Sequence, residues 1–310
     1  MTLIQPPMMV HGGTHPARAM RMMIRDLARG NAGITEGNDL KVTQLATPGA
    51  GVRIGDGSAV IRGAAPWQGA YTQYNVGDAT VPIAPTGATA RSDLVVLRVE
   101  DPEYEGTLDP ATQDIGYFHV VPNCSSTTRD VPPGMTAIPL ARLDIPAQTA
   151  VITTAMIRDL RRIANPRRTR MLYTAFPGSL SRLTTKDSKW RPWPEAANWR
   201  IEVPAWATEM KAVSTVAGLR MDTGDVFGSM QHFFGDMVAG QDTDIDDDQG
   251  RNVRRSTVVL ADSLTVPPLM RGTTQPLRIM TLLSRSESGN LGVDGSTSLI
   301  CDVEFTEGPV

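Results

Sequence analysis

The sequence predicts a mainly β protein, with an N-terminal β domain that carries two short helices, linked to a C-terminal β-sandwich of jelly-roll type. Three observations predict it. Apolar and polar residues trade places over short runs, as in STVVLADSLTV and TSLICDVEF, which implies strands with one buried and one wetter face. Gly, Pro, Asp and Ser turns interrupt the chain between those runs. Helical spacing marks two stretches, one near the N-terminus and one at residues 151–164.

Residues 1–31 read as an arm and a helix. The first 13 residues are rich in Pro, Met and Gly and suit an extended arm that orders against a neighbour. Pro16 fits a first helical turn, Ala17, Met20, Met23, Ile24 and Leu27 make an apolar stripe, and Gly30 supplies the stop. Arg18, Arg21, Arg25 and Arg29 form a second stripe, either a solvated face or a surface for an acidic partner.

Residues 32–165 form the next domain. Strands are predicted at 39–46, 51–54, 58–62, 70–76, 79–83, 92–100, 114–121 and 136–144, with Gly55-Asp56-Gly57 as a hairpin turn between the second and third. SDLVVLRVE is almost continuously apolar, so this strand is expected to be central and covered on both faces.

The segment VITTAMIRDLRRIANPRRTR, residues 151–170, then reads as helix, stop and basic linker. Ile152, Met156, Leu160 and Ile163 recur at helical spacing. Asn165-Pro166 ends the pattern, and Arg161 and Arg162 complement the negative end of a helix dipole. This helix either packs beneath the sheet or serves as a hinge whose four apolar residues contact copies of themselves around a symmetry axis. A domain boundary near residue 165 follows. From 166 to 310, strands are predicted at 198–203, 210–219, 226–234, 253–264, 277–284 and 298–305.

Composition sets limits on function. With 310 residues and 41 % hydrophobic content the chain can bury two separate cores. Its net charge of -3 is spread evenly, with 14 basic and 15 acidic residues before Pro166 and 16 and 18 from there on, which argues against general nucleic-acid binding. Cys124 and Cys301 fall in different domains with no CxxC pair, so two free thiols from a reducing compartment are expected and no zinc site. The N-terminus lacks the pattern of a signal peptide, and no apolar run approaches the roughly 20 residues that span a bilayer, so no membrane insertion is expected.

Two clusters are candidate sites. Trp190, Trp193, Trp199 and Trp206 crowd into KWRPWPEAANWRIEVPAW. Flat indole faces stack on sugars and also fill cores, and Trp199 and Trp206 bracket a strand. That leaves Trp190, Trp193 and Arg191 as the candidates for a receptor-glycan surface. In QDTDIDDDQG, Asp242, Asp244 and Asp246 offer oxygens at alternate positions for a weak calcium site, although Asp247 and Val253 stand where a calcium loop would have Gly and Glu; the alternative is a solvated acidic turn. Gly49, Gly51, Gly55 and Gly57 lack the spacing of a dinucleotide loop. His11, His15, His119 and His232 are scattered, so no catalytic residue, resident metal or cofactor is predicted and the chain is not expected to be an enzyme.

The order of GVRIGDGSAVIRG, YTQYNVGDATVPI, RSDLVVLRVEDPEY, PGMTAIPLARLDIP and TTAMIRDLRR resembles the N-terminal half of minor tail or upper-baseplate proteins of tailed siphophages, especially those of actinobacterial hosts, over residues 32–165. VPAWATEMKAVSTVAGLRM is similar to the C-terminal domains of the same proteins. The resemblance implies a virion component at the tail tip, made in the host cytoplasm, anchored through residues 32–165, with residues 166–310 presented for host attachment. It implies other tail or baseplate proteins as partners, a homotrimer, and a host cell-surface glycan as ligand. A tail scaffold without receptor contact and a host-envelope hydrolase are the alternatives.

Overall fold

The computed structural model describes His11 and residues 15–310, so the predicted arm lies outside the described residues except for His11. The chain divides into two compact units, residues 1–166 with 309–310, and residues 167–308.

Unit 1 begins with helix α1 (Ala17–Leu27). Ten strands follow: β1 (Gly33–Ile34), β2 (Val42–Gln44), β3 (Gly51–Ile54), β4 (Gly57–Arg62), β5 (Ala70–Asn75), β6 (Ala79–Pro82), β7 (Arg91–Val99), β8 (Gly116–Cys124), β9 (Ala137–Ile145) and β10 (Ile157–Asp159). They make three antiparallel sheets, in the orders β1-β4-β5, β2-β3-β6 and β10-β9-β7-β8. Ile34, Val52, Ile54, Ile61, Val95, Leu140 and Leu143 from all three share one core. Strand β7 lies between β9 and β8 with Leu94 to Leu97 buried on both faces, and the near-continuous apolar run follows from that position.

Helix α1 starts at Pro16 and hands over to Gly30 at φ +74°, which glycine adopts without strain. Two arginines of its stripe are paired within the chain. Arg18 pairs with Glu103, and Arg21 reaches Glu103 at 2.5 Å, Asp101 at 3.3 Å and the Gln68 carbonyl at 2.9 Å, with its guanidinium over the Tyr71 and Tyr104 rings. The acidic partner of these two arginines is the chain itself.

The second predicted helix does not form; α1 is the one α-helix among the described residues. Residues 151–164 follow an extended path with a single 3₁₀ turn, Thr154–Met156, then β10, which pairs with β9. Several backbone groups that a helix would have satisfied locally find distant partners instead. The Ile152 N–H donates to the Gly49 carbonyl at 2.9 Å, Leu160 to Leu140 at 3.0 Å, and Ile34 to Arg162 at 2.8 Å. Arg161 is completely buried, and donates to Asp159, to the Gly37 and Asp39 carbonyls at 3.2 and 2.7 Å, and to Val310 at 3.0 Å. These ties outweigh the helical spacing, which is a weak preference beside tertiary partners. Ile152 lies in the core of unit 1, Met156 and Ile163 pack against it, and Leu160 packs on the opposite face of β7, so the four do not form one stripe for an oligomer axis.

The Gly55-Asp56-Gly57 hairpin is also corrected. Strand β3 pairs with β2 and β6, and β4 with β1 and β5, so these residues carry the chain from one sheet to another. Gly57, at φ +139°, is needed because a Cβ there would stand 2.6 Å from Asp39.

Unit 2 contains β11 (Arg168–Ala175), β12 (Ser181–Leu183), β13 (Arg191–Pro192), β14 (Asn198–Glu202), β15 (Glu209–Asp222), β16 (Val226–Phe234), β17 (Val238–Ala239), β18 (Thr243–Asp247), β19 (Arg254–Thr265), β20 (Thr274–Leu283), β21 (Asn290–Val293) and β22 (Ser298–Thr306). One sheet runs β11-β22-β15-β21-β12 with β19 also on β15; the other runs β13-β20-β16-β17, with β14 on β20 and β18 on β16. A single core fills the space between them, from Met210, Val216, Leu260, Val303 and Phe305 on one side to Trp199, Ile201, Met230, Phe234 and Leu277 on the other. Burial alternates residue by residue along β11, β19 and β22. The predicted basic linker is instead the start of β11, where Arg170 pairs with Asp302 across to β22 and Arg167 clasps Glu307 at 2.5 Å.

Candidate functional site

Trp190, Arg191 and Trp193 do not come together as a surface. Strand β13 pairs with β20, so the Trp193 N–H donates to the Ile279 carbonyl at 3.2 Å and its own carbonyl accepts from the Thr281 hydroxyl at 2.7 Å. This turns the indole into the unit 2 core, where it is 6 % exposed. Trp199 is buried beside it, and Trp206 packs against the same core. Arg191 is held by Asp187 at 2.6 Å, and Trp190 is half-buried. Sugar stacking needs an open face, and Trp193 has none.

The acidic run 242–248 is a strand rather than a turn over most of its length. Strand β18 pairs with β16, so Asp244 and Asp246 alternate with buried Ile245 and lie on the exposed face, about 7 Å apart along the strand. Asp244 accepts from the Ser229 hydroxyl at 2.7 Å, and Asp247 is engaged by Arg254 at 2.7 Å. Among the described residues no three His, Cys, Asp or Glu side chains converge to hold a metal ion.

A buried polar cluster that sequence reading missed links the two sheets of unit 2. His232 on β16 is completely buried, with Nδ1 2.6 Å from Asp262 Oδ2 on β19 and Nε2 2.8 Å from Ser214 Oγ on β15. A carboxylate only accepts, so Nδ1 donates to Asp262, while Nε2 shares a hydrogen bond with the Ser214 hydroxyl. The second Asp262 oxygen takes the Gln241 N–H at 2.8 Å. Burial works to raise the Asp262 pKa, but the hydrogen bond from His232 and that from Gln241 hold it below the usual carboxylate range. The order Ser, His, Asp is that of a nucleophilic relay, yet Ser214 is completely buried and no substrate carbonyl reaches it. Its chemistry in this fold is to fasten one sheet to the other. Cys301, opposite Ser214 in the register, has its thiol pushed up to about 11 by burial, which keeps it protonated and inert. Burial, with the nearby Asp93, likewise raises Cys124 in unit 1.

A legible signal for the cluster exists. Ser214 stands in phase with buried Ala212 and Val216, His232 with Met230 and Phe234, and Asp262 with Leu260 and Leu264. Three polar residues at inward positions of neighbouring strands must find one another.

Unit 1 carries an open cleft of about 400 Å³ between α1 and the loop joining β4 to β5, lined by Arg25, Arg62, Ala64, Ala65, Pro66 and Trp67. Trp67 is 73 % exposed and has φ +62°. A bulky residue with positive φ is uncommon and persists only where its surroundings determine it. Here the determinant is Gln68, completely buried, whose Oε1 accepts the Ala65 N–H at 2.9 Å and whose Nε2 donates to the Tyr71 hydroxyl at 3.0 Å and to Thr136 Oγ1 at 3.1 Å. The Gly63 N–H closes the loop onto the Gly69 carbonyl at 2.9 Å. Gln68 takes the inner place, and Trp67 is turned outward.

The outer face of the long unit 2 sheet is partly apolar. Cross-strand partners share a face, which sets Leu172, Asp302, Val213 and Ala261 in one row and Thr174, Ile300, Thr215 and Val259 in the next. Leu172 is 66 %, Val213 42 % and Val259 51 % exposed. Arg170, Glu304 and Lys211 border them.

No protein-family model matches the chain, and no curated protein matches it. Among solved structures, that of the infectious bursal disease virus Gx strain is 12 % identical over 91 % of this chain and 76 % of that one, with a TM-score of 0.25. The subviral particle of the same virus's VP2 is 12 % identical over 89 % and 78 %, with a TM-score of 0.23. The insecticidal delta-endotoxin Cry8Ea1 of Bacillus thuringiensis is 10 % identical over 89 % and 52 %, with a TM-score of 0.21. Superpositions this loose carry no argument about what the chain does.

Proposed function

We propose that the chain is a non-catalytic structural component of a bacteriophage tail tip or baseplate, with unit 1 built into the particle and unit 2 directed toward the host. The outer sheet face of unit 2 supports this reading. A paired, regular surface that leaves Leu172, Val213 and Val259 open inside a charged border has the makeup of a protein contact. The resemblance of residues 32–165 to tail proteins points the same way, and the complete burial of Ser214 favours binding over hydrolysis. In this reading the chain assembles as a homotrimer among other tail or baseplate proteins and meets a host surface glycan through unit 2.

Immunogold labelling of intact particles with an antibody against residues 166–310, combined with an adsorption assay, tests it. Gold at the tail tip with blocked adsorption is the expected result. Gold without blocking supports the second reading, a tail scaffold without receptor contact, which the burial of Trp193 favours. No gold on any particle overturns both. A stable monomer in light scattering at micromolar concentration removes the trimer.

A further inference from the structure

The cleft in unit 1 has features that the virion reading does not use. Its indole is presented outward by a loop whose conformation is fixed by the buried Gln68 amide, and it is held so at a backbone angle that costs free energy. Arg25 and Arg62 line the same cleft, and neither pairs with a carboxylate among the described residues. Arg62 donates to the Gly30 carbonyl at 3.5 Å and Arg25 contacts the Met22 sulfur at 4.0 Å, so their forks remain available to an incoming anion. The neighbouring Arg18 and Arg21 on α1 are already neutralised by Glu103 and Asp101. One flat apolar face, on a loop fixed by Gln68, and two uncommitted guanidinium groups therefore stand around one concavity.

We propose that this cleft binds an acidic saccharide, a sugar ring bearing a carboxylate or a phosphate, with the ring against Trp67 and the anion on Arg25 and Arg62. The volume of about 400 Å³ falls in the range of small-molecule sites. An aromatic face packs against the apolar face of a pyranose, and guanidinium groups pair with planar carboxylate or phosphate oxygens. A nucleic-acid strand fits less well, because it wants a run of stacking platforms and a continuous basic track, and the cleft has one indole in a chain of net charge -3. The inference does not depend on where the protein resides.

Isothermal titration of the full chain with an oligoglucuronate, a sugar phosphate, a neutral oligosaccharide of equal length and a single-stranded oligonucleotide tests it, with tryptophan emission recorded in parallel. The expected result is binding of the glucuronate, the sugar phosphate or both, at least about tenfold tighter than the neutral sugar, with quenching of Trp67. Trp67→Ala and the double variant Arg25→Ala, Arg62→Ala each weaken it at least about tenfold, while Trp193→Phe leaves it unchanged. The two acidic arms show which anion is preferred. Equal affinity for the neutral sugar, tighter binding of the oligonucleotide, no binding of either acidic sugar, or affinity unaffected by Trp67→Ala in a variant with unchanged circular dichroism would each overturn the proposal.

Discussion

Trp67 and Trp193 are the same residue in similar local sequence, one following Pro66 and the other between Pro192 and Pro194, yet one is 73 % exposed and the other 6 %. The difference lies in their neighbours' partners. Trp193 continues from β13 along β20, with both its backbone groups bonded to that strand, and the pleat sends its side chain into the core between the sheets. Trp67 precedes Gln68, whose amide satisfies a buried loop and two hydroxyls, so the inward place is already taken. Clustering of tryptophans in sequence is therefore a poor guide to an open aromatic surface. Which residue of a segment turns inward is decided by the nonlocal hydrogen bonds of its backbone and neighbours.

Substitutions can break this comparison in order of size. Trp193→Ala opens a cavity in the unit 2 core and should cost about 3–5 kcal/mol, read as a lower urea midpoint at unchanged slope. His232→Ala leaves Asp262 without its ring partner between the sheets of the same unit and should cost about 3 kcal/mol. Gln68→Ala removes the loop's anchor and should cost about 1–3 kcal/mol, together with a shift in Trp67 emission, because the indole loses its fixed setting. The smallest effect has the opposite sign. Trp67→Gly relieves a positive φ and should leave stability unchanged or raise it by up to about 1 kcal/mol.

Acid should weaken unit 2 through two carboxyl groups. The Asp262 carboxyl is held below its ordinary value of 3.8 in the folded chain, so its contribution is present above that pH and is lost as pH falls through the lower folded value. Asp222 behaves alike: burial opposes it, but Arg220, Thr223 and Arg182 bring it down to about 2. Its share of stability persists above pH 3.8 and disappears as pH falls toward 2. Asp262→Asn should flatten the first part of this acid limb in a urea series at stepped pH, with little change near neutrality beyond a constant loss.

Much of the fold was legible because alternation and turn residues act locally. Residues 51–54 and 226–234 are strands to the predicted bounds, and α1 lies between Pro16 and Gly30 as expected, although its buried residue is Ala19 and Leu27 of the predicted apolar stripe is 74 % exposed. The stretch 151–164 was not, because Ile152, Met156, Leu160 and Ile163 satisfy helical spacing while Ile152 bonds to Gly49, Leu160 to Leu140, and Arg162 and Ala164 to Ile34, all far away in sequence. Arg161, read as a helix-end charge, is a buried clamp on three distant carbonyls. Gly33 shows the same dependence on distant neighbours: a Cβ there would stand 2.0 Å from the Arg162 carbonyl oxygen. The site was less legible than the fold. The Ser214, His232 and Asp262 cluster could have been found from its inward phase, whereas the outward turn of Trp67 needed the knowledge that Gln68 meets Thr136, 68 residues away in sequence.

The most direct test of the contrast is acrylamide quenching of Trp67→Phe and Trp193→Phe compared with the unsubstituted chain. Loss of the readily quenched, red-emitting component in Trp67→Phe, and its retention in Trp193→Phe, is the predicted result. The reverse assignment, with Trp193 carrying the quenchable emission, would contradict the account of both regions.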